Sequence, residues 1–132
     1  MEDVWTGRCN CGALAVTCTG APIRVSVCHC TDCKTRTGSA FSWNARFAAR
    51  QVGIEGASAS WRSAGPSGAV TVRQFCPTCG VTIAYRSEAE PEIVAIPCGT
   101  LEGDGLEPHR TAWEQRRNAW VDITATPMEF GH

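Results

Sequence analysis

Short apolar runs alternate with polar residues along this chain at a period of two, the signature of half-buried β-strands. The pattern predicts strands over Ala13–Cys18, Ile23–Val27, Ala40–Phe47, Ser58–Ser63, Ala69–Phe75, Val81–Arg86, Glu92–Pro97 and Trp120–Ile123. Turn residues punctuate them. Ala64-Gly65-Pro66-Ser67-Gly68 reads as a hairpin loop, and Gly20-Ala21-Pro22 and Glu90-Pro91 act as breakers. One local helical signal stands out, Thr31–Arg36, where the Thr31 hydroxyl can cap a single turn. There is no internal repeat, low-complexity tract or long linker. The expectation is one domain over residues 1–132, mainly β and antiparallel.

Composition narrows the class. At 132 residues and 43% hydrophobic, the chain can bury about two-thirds of its unfolded surface. A modest core is therefore available, and metal need not supply all the stability. The formal net charge of −1 and the lack of a basic stripe argue against nucleic acid. No apolar run approaches the ~18 residues that suggest a membrane helix. The first seven residues are acidic and carry no apolar signal region, so the expected location is cytoplasmic. Thiols stay reduced there. The nine cysteines then read as metal ligands or catalytic thiols, and their odd number leaves one over from any complete pairing.

Seven of these cysteines fall into two groups. The first joins Cys9-Asn10-Cys11-Gly12 to Cys76-Pro77-Thr78-Cys79-Gly80. In the Cys76–Cys79 knuckle, a glycine just after the second cysteine can take positive φ and turn backbone amides toward sulfur, whereas the C-x-C spacing of Cys9 and Cys11 is tighter and less common. Four thiolates suffice for a closed tetrahedral zinc site. Such an ion would clamp distant parts of the chain, and structural zinc contributes ~10–16 kcal/mol in small peptides. The competing readings are a thioredoxin-type redox pair at Cys76 and Cys79, which lacks a surrounding βαβ unit, and simple burial as small hydrophobes.

The second group is Cys28-His29-Cys30-Thr31-Asp32-Cys33. Three thiolates converge on one ion if a strand end is followed by a helical turn. Three protein ligands leave a fourth position open, as in catalytic zinc sites. The alternative is closure by Cys98, His29, Cys18 or another chain. His29 stands between two ligands, so alternation turns it away from them. Cys18 shares an apolar face with Leu14 and Val16 and reads as a buried thiol. Three thiolates make zinc a weak Lewis acid, yet a thiol bound there still loses its proton. The chemistry implied is addition of a thiolate to a small electrophile, not hydrolysis. Lys34 and Arg36 follow at once and can offset the negative charge, or simply belong to an exposed turn.

The ordered motifs (C-x-C-G, C-H-C-x-x-C, Gly38-Ser39-Ala40-Phe41, Phe75-Cys76-Pro77-Thr78-Cys79-Gly80 and Gly99-Thr100-Leu101) run from Cys9 to Leu101, and the likeness they carry covers about residues 5 to 123. The chain so read resembles the glutathione-dependent formaldehyde-activating enzymes, a family that includes centromere protein V. The resemblance implies small antiparallel sheets around zinc in a zinc-ribbon-like β-tent. It also implies two zinc ions per chain: structural zinc on Cys9, Cys11, Cys76 and Cys79, and catalytic zinc on Cys28, Cys30 and Cys33. The implied reaction is carbon–sulfur lyase chemistry, in which glutathione or a similar thiol condenses with formaldehyde or a related aldehyde. Where members often carry His-x-Trp, this chain has Thr111-Ala112-Trp113, with His109 two residues earlier.

Arg110, Arg116 and Arg117 can hold carboxylates of a glutathione-like peptide, or simply form a solvated tail. Trp43, Trp61, Trp113 and Trp120 read as core or rim aromatics. The rival functional class is a non-catalytic zinc module that binds a protein partner.

Overall fold

A computed structural model describes residues 3–65 and 67–128. Its strands, in chain order, are β1 (Val4–Arg8), β2 (Ala15–Thr19), β3 (Arg24–Cys28), β4 (Ser42–Ala48), β5 (Val52–Glu55), β6 (Ala59–Ala64), β7 (Val70–Phe75), β8 (Thr82–Ser87), β9 (Ile93–Pro97), β10 (Arg110–Ala112) and β11 (Thr126–Pro127). The α-helix, α1 (Thr31–Thr37), follows β3. Seven of the expected strands are therefore present, with ends moved by a residue or two.

Two sheets result. β1, β2 and β5 form a three-stranded antiparallel sheet. The other sheet has eight strands in the order β11-β10-β3-β4-β9-β8-β7-β6. Its short C-terminal strands run parallel, β10 to β3 and β11 to β10, so the sheet is mixed and larger than the expected small antiparallel units. The core lies where the sheets meet. Leu14, just before β2, and Val16 and Cys18 of the small sheet pack with Val25, Ala45, Phe47, Val94 and Ile96 from the large one. The Trp5 and Phe47 ring centroids stand 6.0 Å apart.

Several elements differ from expectation for identifiable reasons. Trp120–Ile123 is not a strand. Val121 is buried there, but Trp120 is 77% exposed, and the edge it would have extended is taken by β10 and β11. β1 escaped notice because Gly7 interrupts its alternation. That glycine is required, since a Cβ on it would sit 2.2 Å from the Thr100 carbonyl oxygen. The cap of α1 is Cys30, not Thr31: the Cys30 sulfur accepts from the Cys33 amide at 3.3 Å. Gly38 closes the helix in a left-handed conformation, φ 66°, its amide donating to the Lys34 carbonyl at 2.8 Å. The expected hairpin between β6 and β7 is present, with the Gly65 amide donating to the Ala69 carbonyl at 2.8 Å.

Candidate metal centres and the polar face of the large sheet

The β1–β2 turn carries Cys9 and Cys11, and the β7–β8 turn carries Cys76 and Cys79. Their four sulfurs lie within 4.8 Å of one another. Cys11 Sγ is 3.6 Å from both Cys9 Sγ and Cys76 Sγ. A disulfide needs about 2.05 Å, whereas a zinc tetrahedron with ~2.3 Å bonds sets sulfurs about 3.8 Å apart. The spacing fits an ion.

The two turns are built alike. Cys9 N donates to Leu14 O at 2.9 Å, and Cys76 N donates to Val81 O at 3.0 Å. Gly12 and Gly80 take φ of 82° and 83°. The Leu14 amide donates to Cys9 Sγ at 3.3 Å and the Thr78 amide to Cys76 Sγ at 3.4 Å. Amides from Val81 and Cys11 hold the Cys79 thiol down at about 6. The Ala13 amide also pulls the Cys11 thiol down, but the sulfurs of Cys76 and Cys9 outweigh it and push Cys11 up to about 11. Sulfurs this close do not all ionise unless a cation joins them.

Cys28 ends β3, Cys30 caps α1 and Cys33 lies in its first turn. These sulfurs also lie within 4.8 Å of one another. Proton sharing with Cys28 and Cys30 holds the Cys33 thiol far down, aided by a hydrogen bond from Ser42 and by Arg36, while the Cys28 thiol is driven up. Ala112, Trp113 and Met128 pack around the group. Trp113 has φ 58°, the one non-glycine residue with positive φ among those described. Backbone held there is strained and clusters at functional sites.

Cys98 does not join this group. It is buried in the main core near Cys18, and burial pushes the two thiols up to about 12 and about 11. His29 is fully buried and turned from the sulfurs, as alternation requires. Its Nε2 lies 3.3 Å from Glu114 Oε2, outside hydrogen-bond geometry, and its ring packs near Phe41 at 6.0 Å. Burial pulls its pKa down against the attraction of Glu114. His109 is exposed and lines a groove of about 520 Å³ with Glu107, Pro108, Thr124, Ala125 and Thr126. Its amide bonds to Val25 O, three residues before the Cys28 level. His109 thus sits too far back to stand in for a histidine at residue 111, and Thr111 itself is buried.

Pairing register shows what accompanies Cys28 on its face of the sheet, because directly opposed residues point the same way. Arg24, Ser26 and Cys28 of β3 face Arg46, Asn44 and Ser42 of β4. Arg110 and Ala112 of β10 stand beside Ser26 and Cys28, and Ala95 links Arg46 to Tyr85. Asn44 Nδ2 donates to Ser42 Oγ at 2.8 Å. The Arg36 guanidinium sits over the Tyr85 ring at 4.6 Å. Beyond Tyr85, a hollow of about 300 Å³ is lined by Arg36, Trp61, Arg73, Phe75, Gly80 and Thr82. Arg117 bonds instead to the Val121 carbonyl, and Lys34 Nζ to the Arg116 carbonyl at 2.6 Å. Sequence alternation contained the signal for Arg24 and Arg46, but only pairing puts them on the cysteine face.

The model for the glutathione-dependent formaldehyde-activating enzyme family matches residues 4–117, and the chain belongs to that family. A crystal structure of a Rhodobacter sphaeroides protein is similar in fold, with TM-score 0.59 and 21% identity, covering 74% of this chain and 88% of that one. No curated protein matches. Family membership supports glutathione and formaldehyde chemistry, and both cysteine groups can hold metal ions. No helix among the described residues is long and apolar enough to cross a membrane.

Proposed function

We propose that this chain is a zinc-dependent carbon–sulfur lyase-type enzyme that condenses a thiol, glutathione or a close relative, with formaldehyde or a related small aldehyde. A sulfur–carbon bond forms, the carbonyl π bond opens, and the thiol proton ends on the new hydroxyl oxygen. The observation that carries the reading is the Cys28, Cys30 and Cys33 cluster, three sulfurs within 4.8 Å with no fourth cysteine, histidine or carboxylate grouped among the described residues. Zinc held there would ionise the incoming thiol and leave its sulfur nucleophilic.

The chain's own residues do the rest. Ser42 fixes Cys33 through its hydroxyl. Ala112 and Trp113 shield the cluster from water. Burial keeps the Tyr85 phenol protonated on the same face of the sheet, in the row of Arg46. Cys9, Cys11, Cys76 and Cys79 hold a second, structural zinc. Residues 1–132 form a single tent-like, zinc-ribbon-related domain that works in the cytoplasm on small molecules.

The test is metal content, fold and exchange between formaldehyde and glutathione followed by NMR. Cys30→Ala should fall from two zincs to one, keep its fold and lose exchange. Exchange by the native chain no faster than in buffer would overturn the enzyme reading and favour a non-catalytic module with a protein partner.

A further inference from the structure

Arg24 and Arg46 stand directly opposite one another on β3 and β4. Like charges in that relation destabilise a sheet. Arg110, beside Ser26 on β10, adds a third guanidinium, and both Arg46 and Arg110 weaken the hold of Arg24 on its proton, after burial itself. The Nε atoms of all three are buried without a hydrogen-bond partner among the described residues. No carboxylate among those residues lies within ion-pair distance of them, Glu90 acting on Arg24 only at longer range. A fold that keeps three guanidiniums together without a carboxylate, only Arg46 resting on a neighbouring ring (Tyr85, 5.9 Å to its centroid), violates local electrostatic preference, and such violations concentrate at functional sites.

Between the arginines and the cysteines lies Asn44, level with Ser26. It is buried, and its Oδ1 lacks a donor among the described residues. Tyr85 connects the two ends, feeling Arg46 and Arg36 on one side and Cys33 and Cys28 on the other. The Cys28 and Arg24 rows are four strand residues apart, about 13 Å between Cα atoms. An extended tripeptide reaches on the order of 10 Å, and the flexible arginines can close the remainder. A three-carbon thiol acid is too short.

We propose that Arg24, Arg46 and Arg110 form an anion subsite for a carboxylate of a peptide-sized thiol whose sulfur lies at Cys28, Cys30 and Cys33, with Asn44 Oδ1 accepting a ligand amide N–H. This deepens the proposed function and rests on it for the position of the sulfur. Guanidinium–carboxylate pairing is charge-assisted and strong in a site shielded from water.

The test uses the zinc-loaded full chain and S-methylglutathione, which cannot react, with calorimetry as the readout. The doubly substituted Arg24→Gln, Arg46→Gln protein should bind at least about tenfold more weakly. The diethyl ester of the same ligand should bind both proteins equally weakly. Failure of the native chain to bind S-methylglutathione, or equal affinity in the double variant, overturns the subsite. So does a loss confined to inorganic phosphate, which would mark an adventitious ion only. Should the double variant not fold, Arg110→Gln alone is held to the same criterion. Absence of thiol–formaldehyde exchange would sink the enzyme reading while this binding measurement still decides the subsite.

Discussion

The sulfurs of Cys11 and Cys76 lie 3.6 Å apart although 65 positions separate them in sequence. One belongs to the turn of the small sheet and the other to a turn of the large sheet, so the four-sulfur group is a joint between the two. Removing a joint ligand should therefore act on the whole fold. We expect Cys76→Ala to lose cooperative thermal unfolding and its share of zinc, whereas Cys30→Ala, at the second group, unfolds close to native temperature. Circular dichroism melts with metal analysis check this, and a well-folded Cys76→Ala with native zinc content would refute the joint.

Acid should strip the joint before alkali does. Ligands must be deprotonated to hold a metal, so binding releases protons and weakens as pH falls. Cys79 is held at about 6 against an ordinary 9.0. Its contribution is complete above pH 9 and is lost as pH falls through 6. Zinc transfer to a chromogenic chelator should accelerate steadily from pH 8 to pH 5.

Cys18 and Cys98 behave oppositely. Burial raises them to about 11 and about 12. They favour the folded state below pH 9, and that advantage disappears as pH rises through 11 and 12. The thiolate is the reactive form, so iodoacetamide at pH 8 should leave these two unmodified in the native zinc-loaded protein and modify them only on unfolding. Peptide mapping by mass spectrometry reads the result, and rapid native alkylation of either would contradict the burial.

Gly7 presents a steric test. A Cβ there meets the Thr100 carbonyl oxygen at 2.2 Å, while one on Gly53 meets nothing within 4 Å. Gly7→Ala should destabilise by about 1–3 kcal/mol. For a chain of this size that lowers Tm by roughly 3–10 °C. Gly53→Ala should shift Tm little. Equal shifts in the two variants would mean that β1 can move away from Thr100.

Sequence reading found the elements with strong alternation and the cysteine groups, because both signals are local. It missed β5 and β10, four and three residues long, too short to establish a period. β10 also pairs parallel with β3, a partner more than eighty residues earlier that no local pattern announces. Cys98 was an open candidate for the second group until packing showed it beside Cys18 in the core. Of the arginines near the C-terminus only Arg110 joins the polar face. Its companions Arg24 and Arg46 became visible through strand register, which charge counting cannot supply. Trp61 and Trp120, at 52% and 77% exposed, belong to the rim rather than the core.

The joint also orders events during synthesis. A nascent polypeptide leaves the ribosome amino end first, so the small sheet is complete in sequence by Glu55. Cys79 has not then been made. The β1–β2 turn must wait with two unsatisfied sulfurs until the β7–β8 turn emerges, and any soft metal or oxidant encountered in that interval competes for them. With the structural zinc proposed for this joint, synthesis speed across residues 55 to 80 would set how long the newborn chain stands exposed to mismetallation.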